Sequence, residues 1–252
     1  MTMDMTKIEQ LAAWMQESQR IVFFGGAGIS TESGIPDFRS AAGIYQTETA
    51  SPYAPEEILS RSFFNRHPEV FYDFYKTKMI HSEARPNPAH LCLAKLEQAG
   101  QLTHIITQNI DGLHQMAGSR NVLELHGSIH RNYCMDCRQF HSLDEVMQSA
   151  SVVPVCHSCG GVVKPDVVLY GENLDNQVLS ESIQAIASAD MLLIGGTSLT
   201  VQPAAHLVTY FNGDRTVLLN ASPTAYDHHA DLLITDPIGA VMEKVGRMLP
   251  PA

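Results

Sequence analysis

The feature that most restricts what this chain can fold into is a cysteine quartet. Cys134 and Cys137 form one Cys-x2-Cys pair, and after 18 intervening residues Cys156 and Cys159 form a second. Each two-residue spacer lets both sulfurs of a pair reach one tetrahedral ion, and two pairs at this separation make a zinc-ribbon pattern. Gly160-Gly161 permits the tight turn that follows the second pair. Four thiolates leave no coordination position open to water, so the spacing predicts one structural zinc and no catalytic metal. His157, inside the second pair, is then a bystander. Two redox or buried pairs without metal fit the doubled spacing far less well. The fifth cysteine, Cys92, lies in an apolar helical pattern.

The rest of the chain must supply a core around that staple. Its 252 residues suit one large domain carrying a smaller insert, and 44% hydrophobic against 17% charged residues argues against global disorder. The formal net charge of -11 repels phosphate backbones and anionic lipid, so no direct nucleic acid binding and no membrane partner are expected. It suits basic, lysine-bearing protein segments instead. Met1–Gln10 carries Asp4, Lys7 and Glu9 and lacks an apolar signal region. Met191–Val208 is interrupted by Gly195, Gly196, Gln202, Pro203 and His206, which argues for a strand, a turn and a helix start rather than a membrane span. A cytoplasmic location without disulfides is the resulting expectation.

No internal repeat is evident. Residues 8, 11, 12 and 15 are apolar at helical spacing. Short apolar runs at 21–24, 104–107, 122–125, 167–170, 191–194 and 217–220 read as buried strands, with helical patterns at 89–99, 176–188 and 203–211 between them. This alternation predicts an α/β fold built on an open, doubly wound parallel sheet. Residues 36–88, with one helical stretch at 68–80, and residues 128–165 break the rhythm and read as insertions that together form a smaller domain.

Several strand ends carry small or polar residues. Gly25-Gly26-Ala27-Gly28-Ile29-Ser30 follows the first strand, where glycines let backbone N–H groups approach a pyrophosphate. It is not a strict GxGxxG, and a plain strand-ending turn is the competing reading. Gly195-Gly196-Thr197-Ser198, Asn220-Ala221-Ser222 and Gln108-Asn109-Ile110-Asp111-Gly112 follow other strands in the same manner, and a polar cluster of the last kind suits ribose hydroxyls and a carboxamide. His126 ends another run, with an ordinary pKa suited to a general base. The chain has 12 histidines, so residue type alone does not single it out.

Taken in order, Gly26-Ala27-Gly28-Ile29-Ser30, Gly34-Ile35-Pro36-Asp37-Phe38-Arg39, Thr107-Gln108-Asn109-Ile110-Asp111, Leu125-His126-Gly127, the cysteine quartet and Gly196-Thr197-Ser198-Leu199 with Pro203-Ala204 resemble the sirtuins. The likeness spans about residues 7–245. It implies an NAD-dependent protein-lysine deacetylase, or deacylase, with a Rossmann-like domain over 1–37, 89–127 and 166–252. A helical module (38–88) and a zinc-binding module (128–165) would form the small domain. Gly26, Ala27, Gly28, Thr31, Phe38, Arg39, Gln108, Asn109, Ile110, Asp111, Gly196, Thr197, Ser198 and Asn220 would bind NAD, the consumed cosubstrate. Val168, Leu169, Tyr170, Gly171 and Glu172 would pair with an acylated-lysine peptide as an added strand. In the implied reaction the acyl oxygen displaces nicotinamide from ribose. Asp111 holds the carboxamide, Asn109 the ribose or a water, and Phe38 shields the reactive face. His126 takes a proton from a ribose hydroxyl. Free lysine, nicotinamide and O-acyl-ADP-ribose result.

Three positions depart from the family pattern. Tyr170 stands for the usual Phe and Lys164 for the usual Arg before Pro165. Tyr75 and Lys78 align with a Tyr-x-x-Arg pair that selects acidic acyl groups, although Lys lacks the planar fork that grips a carboxylate. Here Tyr75 also fits a core aromatic and Lys78 a solvated charge. Deacetylation is therefore the primary expectation. A mono-ADP-ribosyltransferase and a non-catalytic NAD- or acyl-lysine-binding module are the alternatives. A nicotinamide dehydrogenase is disfavoured, because no acidic ribose-binding residue ends a second strand.

Overall fold

The computed structural model describes residues 3–38, 40, 43–46 and 51–250. Its strands are β1 (Ile21–Gly25), β2 (Leu102–Thr107), β3 (Val122–Glu124), β4 (Gly127–Cys134), β5 (Phe140–His141), β6 (Val163–Val167), β7 (Met191–Gly195), β8 (Thr216–Leu219) and β9 (Leu232–Ile234). The helices are α1 (Met5–Glu17), α2 (Pro55–Ile58), α3 (Arg61–Arg66), α4 (Pro68–Phe74), α5 (Pro88–Gln98), α6 (Leu113–Met116), α7 (Leu143–Met147), α8 (Asn176–Ser188) and α9 (Ile238–Met248).

Six strands form a parallel sheet in the order β3-β2-β1-β7-β8-β9. β1 lies inside it, and all five of its residues are buried. Ile21 and Phe23 enter a core with Leu11 and Met15 of α1, Leu93 of α5 and Val245 of α9. Val22 and Phe24 enter another with Ile186 of α8 and Leu207. A two-residue period shared between two cores is what helices on both faces of a sheet require. The doubly wound α/β fold is therefore observed. The helix starts are set by local chemistry. Asp4 accepts the Thr6 N–H at 3.1 Å at the head of α1, and Asp175 accepts the Gln177 and Val178 N–H groups at the head of α8.

Residues 167–170 do not form a strand of the parallel sheet, contrary to the sequence-based expectation. β6 ends at Val167 and belongs to a separate antiparallel sheet, β5-β4-β6. Burial alternates along this run, with Val163, Pro165, Val167 and Leu169 buried and the residues between them less so. That is the pattern of a strand covered on one face, and four apolar or aromatic letters in a row conceal it. Residues 203–211 form a 3-10 segment over Ala204–Tyr210 rather than an α-helix. The 68–80 stretch is α4 followed by a wider π turn over Tyr75–Met79. α2 and α3 add helices to a region expected to hold one.

A third core joins the two insertions. Ile58, Phe63, Phe71, Tyr72 and Tyr75 from the first pack with Ile129, Val146 and Val163 from the second, beside Cys134 and Cys156. The chain passes from β1 to β2 on one side, while β7 pairs on the other. This reversal of strand order opens a crevice at the carboxyl ends of the strands, where such sheets bind ligands.

Candidate active site

A cleft of about 480 Å3 occupies that crevice. Gly26, Ala27, Gly28, Gln108, Asn109, Ile110, Asp111, Gly196, Thr197, Ser198 and Asn220 line it from the large sheet. Phe38, Lys78, His126 and Val168–Glu172 also line it. Thr31 is exposed and is not among the lining residues; its hydroxyl donates to the Gly28 carbonyl at 3.0 Å. Arg39 lies outside the described residues.

The two glycine turns make one surface. The Gly28 N–H donates to the Gly196 carbonyl at 2.8 Å and the Gly26 N–H to the Gly195 carbonyl at 3.2 Å. Gly196 has φ of +60°, and a Cβ there would lie 2.3 Å from the Ile29 nitrogen, so neither the conformation nor the space admits a side chain. Gln108 Nε2 bridges to Thr197 Oγ1 at 3.0 Å, tying the β2 and β7 ends together.

Ser30 was not singled out as a site residue in the sequence, yet it is the hub of the polar cluster. Its hydroxyl donates to Asp111 Oδ2 at 2.7 Å and accepts from Asn109 Nδ2 at 3.0 Å. Asp111 Oδ1 accepts the Leu113 N–H at 2.9 Å. The available signal was its place four residues beyond the glycine pair at 25–26, in the turn that the sheet aims into the crevice.

His126 Nδ1 lies 2.9 Å from the Gln108 carbonyl. A carbonyl only accepts, so Nδ1 carries the proton and Nε2 keeps its lone pair. Burial lowers the His126 pKa and outweighs the opposing effect of that hydrogen bond, so the ring is neutral at pH 7. The His126 carbonyl accepts the Val168 N–H at 3.0 Å, which places 168–172 beside the ring. On its far side that segment is tied to α3, since Tyr170 exchanges backbone hydrogen bonds with Leu59 and Arg61.

None of the four clustered cysteines lines the cleft. Their sulfurs all lie within 4.8 Å of one another, with Cys134–Cys159 at 3.4 Å and Cys137–Cys156 at 3.6 Å. Zn–S bonds of about 2.3 Å in a tetrahedron place sulfurs roughly 3.8 Å apart, so the donor set fits one structural zinc.

A family model described as the Sir2 family matches residues 26–203. The NAD-dependent protein deacetylase of Clostridium acetobutylicum is 57% identical over 239 residues, covering 95% of this chain and 98% of that relative. The protein of the same name in Cutibacterium acnes is 54% identical over 243 residues, covering 96% and 99%. A solved Sir2 structure with a p53 peptide and NAD+ superposes with a TM-score of 0.84 at 37% identity, covering 95% of this chain and 97% of that one. A Sir2 variant with a deacetylated p53 peptide and 3'-O-acetyl-ADP-ribose gives 0.89 at 36%, covering 97% and 99%. The chain belongs to the Sir2 family.

Within this Sir2 chain the departures acquire structural meaning. The Tyr170 hydroxyl lies 2.9 Å from the Tyr45 hydroxyl, and Tyr45 packs edge-on against Phe38. Lys164 contacts Glu172 at 3.1 Å and donates to the Val167 carbonyl at 2.9 Å. The Tyr75–Lys78 pair is not assembled on the cleft wall. Lys78 lines the cleft, but Tyr75 is 1% exposed and stacks on Phe71 at 5.6 Å. It stands where a core aromatic stands, because the wide turn over 75–79 directs it into the small-domain core.

Proposed function

We infer that this Sir2 chain is an NAD-dependent protein-lysine deacetylase in which one cleft takes both NAD, against the glycine turns, and an acetyl-lysine peptide, against residues 168–172. The observation that carries this reading is His126. Its tautomer is set, its Nε2 is free to accept a proton, and it shares one cleft with Asn109, Asp111 and the peptide-binding segment.

NAD supplies an electrophilic ribose carbon and nicotinamide as leaving group. Gly26, Ala27, Gly28, Gln108, Ile110, Gly196, Thr197, Ser198 and Asn220 hold it. Asp111 accepts from the carboxamide N–H, and Asn109, braced by Ser30, faces the ribose. Phe38 keeps water from the reacting face. His126 Nε2 removes a proton from a ribose hydroxyl. The backbone of Val168–Glu172 adds a strand to the substrate, so affinity demands little of the flanking sequence. Cys134, Cys137, Cys156 and Cys159 would hold a zinc that cross-links the small domain and takes no chemical part.

The division into a large domain (1–37, 89–127, 166–252) and a small one (38–88, 128–165) is supported by the core that the two insertions share. A net charge of -11 favours basic peptide partners over nucleic acid or membrane. Five free cysteines suit a cytoplasmic, reducing setting. With Tyr75 turned into the core, small acyl groups are the preferred substrates.

The test is incubation with NAD and a panel of acyl-lysine peptides, read by mass spectrometry. O-acyl-ADP-ribose and nicotinamide form only with acyl-lysine, and His126→Ala abolishes the product. ADP-ribose attached to protein instead would indicate a transferase. Equal turnover by His126→Ala would overturn the role given to the ring.

A further inference from the structure

Behind Ser30, Asn109 and Asp111 lie two histidines for which the reaction above has no task. His90 is 0% exposed and His114 1%, with ring centroids 4.8 Å apart. His90 Nδ1 accepts the Asn87 N–H at 3.3 Å, which leaves the proton of the neutral ring on Nε2. His90 Nε2 and both His114 ring nitrogens are buried without a hydrogen-bond partner among the described residues. Such nitrogens destabilise a core that apolar side chains would fill without that cost. Unpaired buried nitrogens call for an explanation, and a role at a functional site is one.

Their neighbours indicate one. Asn87 Nδ2 donates to the Ile29 carbonyl at 2.7 Å and to Ser33 Oγ at 3.0 Å, joining the head of α5 to the 27–33 turn that carries Ser30. His114 lies in α6, whose first N–H, from Leu113, is held by Asp111 Oδ1. Ser30 closes the circuit on Asp111 Oδ2. Contacts therefore run from Ser30 through Asp111, α6, His114, His90 and Asn87 back to the turn bearing Ser30. Asp111 is also close enough to act on His90 electrostatically. A cationic ring there would draw that carboxylate away from a ligand N–H. Burial opposes this, and desolvation is the main cause that lowers His90 to about 4 and His114 to about 3.

We propose that His90 and His114 are positioning residues for the carboxamide subsite. As a neutral pair they hold Asp111 and Ser30 in the geometry that grips an aromatic carboxamide, and so they set the affinity for NAD and for free nicotinamide. This rests on the assignment of Asp111 to the carboxamide.

Two variants separate this role from packing. His114→Phe keeps a buried aromatic ring, somewhat larger than imidazole, and removes both nitrogens. His90→Asn keeps an acceptor for the Asn87 N–H and removes Nε2. The nicotinamide inhibition constant and the KM for NAD rise about tenfold in each, while the KM for peptide is unchanged. An unchanged nicotinamide constant in a folded variant overturns the proposal, as does an equal loss in all three constants that tracks the fall in Tm. Should neither variant fold, wild-type protein labelled with 15N-histidine decides. Saturation with NAD shifts the ring nitrogens of both residues, and unmoved resonances overturn the proposal. Asp111→Asn isolates the underlying reading. If it leaves nicotinamide inhibition unaltered, the assignment of Asp111 fails. If it alters inhibition and the histidine variants do not, only the present proposal fails.

Discussion

Glu172→Gln tests how the segment 168–172, proposed above to bind peptide, is anchored. Glu172 Oε1 meets Arg61 Nη1 at 2.9 Å, and Oε2 meets Lys164 Nζ at 3.1 Å and accepts the Leu169 N–H at 2.9 Å. The neutral amide keeps one acceptor, enough for Leu169, but turns an NH2 donor toward a cation. A charge-assisted hydrogen bond contributes about 1.5–3 kcal/mol. The Arg61 side chain is 35% exposed, so its share is discounted to below about 1 kcal/mol. The Lys164 side chain is 14% exposed and burial lowers its pKa, so losing its counter-charge carries nearly the full penalty. The combined loss is about 2–4 kcal/mol. Global stability falls accordingly, by about 4–16 °C in Tm for a chain of this size. Residues 168–172 must then be reordered when peptide binds, and if roughly 1.4 kcal/mol of the loss is felt there, the peptide KM rises about tenfold. The assay is nicotinamide release at saturating NAD across a titration of acetyl-lysine peptide. A peptide KM within twofold of wild type, beside a lowered Tm, would show that the ion pairs brace the fold and not the binding segment.

Other expectations follow from the same geometry. Removing zinc with a chelator, or Cys134→Ser, loosens the core shared by the two insertions and abolishes deacetylation together with the near-ultraviolet dichroism of its aromatic residues; full activity in folded, zinc-free protein would contradict a purely structural ion. His90 and His114 have folded pKa values of about 4 and about 3, below the ordinary value near 6.5, so the unfolded chain binds more protons between those limits. Their contribution is therefore complete above about pH 6.5 and declines as pH falls, by up to about 1.4 kcal/mol per pH unit for each ring. A Tm that stays flat from pH 6.5 to 5 would refute this. Tyr170→Phe removes one hydrogen bond between exposed phenols, so kcat/KM falls by less than about fivefold; a hundredfold fall would reveal a direct role in the reaction.

Much of the fold was legible because its signals are local. Ile21–Gly25 announces a strand buried on both faces, and the 8, 11, 12, 15 spacing announces the face that α1 buries. α9 was not read from the sequence, although Ile238, Val241, Met242 and Val245, all buried, carry an equally plain spacing. β9 has only three residues, too few for any period to show. The 167–170 run is the instructive failure. Its letters state that the segment is extended and apolar, but whether it joins the parallel sheet depends on which partner lies alongside.

By itself the sequence determined the chemistry of the parts. Cysteine spacing defines a tetrahedral metal site, glycines define where backbone must approach backbone, and alternating runs define the sheet. These follow from neighbours within a few residues. Tertiary structure alone decided which side chains meet. Ser30, Asn109 and Asp111 converge although roughly eighty residues separate the first from the other two, because β1 and β2 are adjacent and parallel. It turned Tyr75 into a core and left Lys78 on the cleft wall. It also buried His90 against His114 behind Asp111, where no spacing in the chain points, since burial and proximity belong to the packed molecule and not to the order of residues.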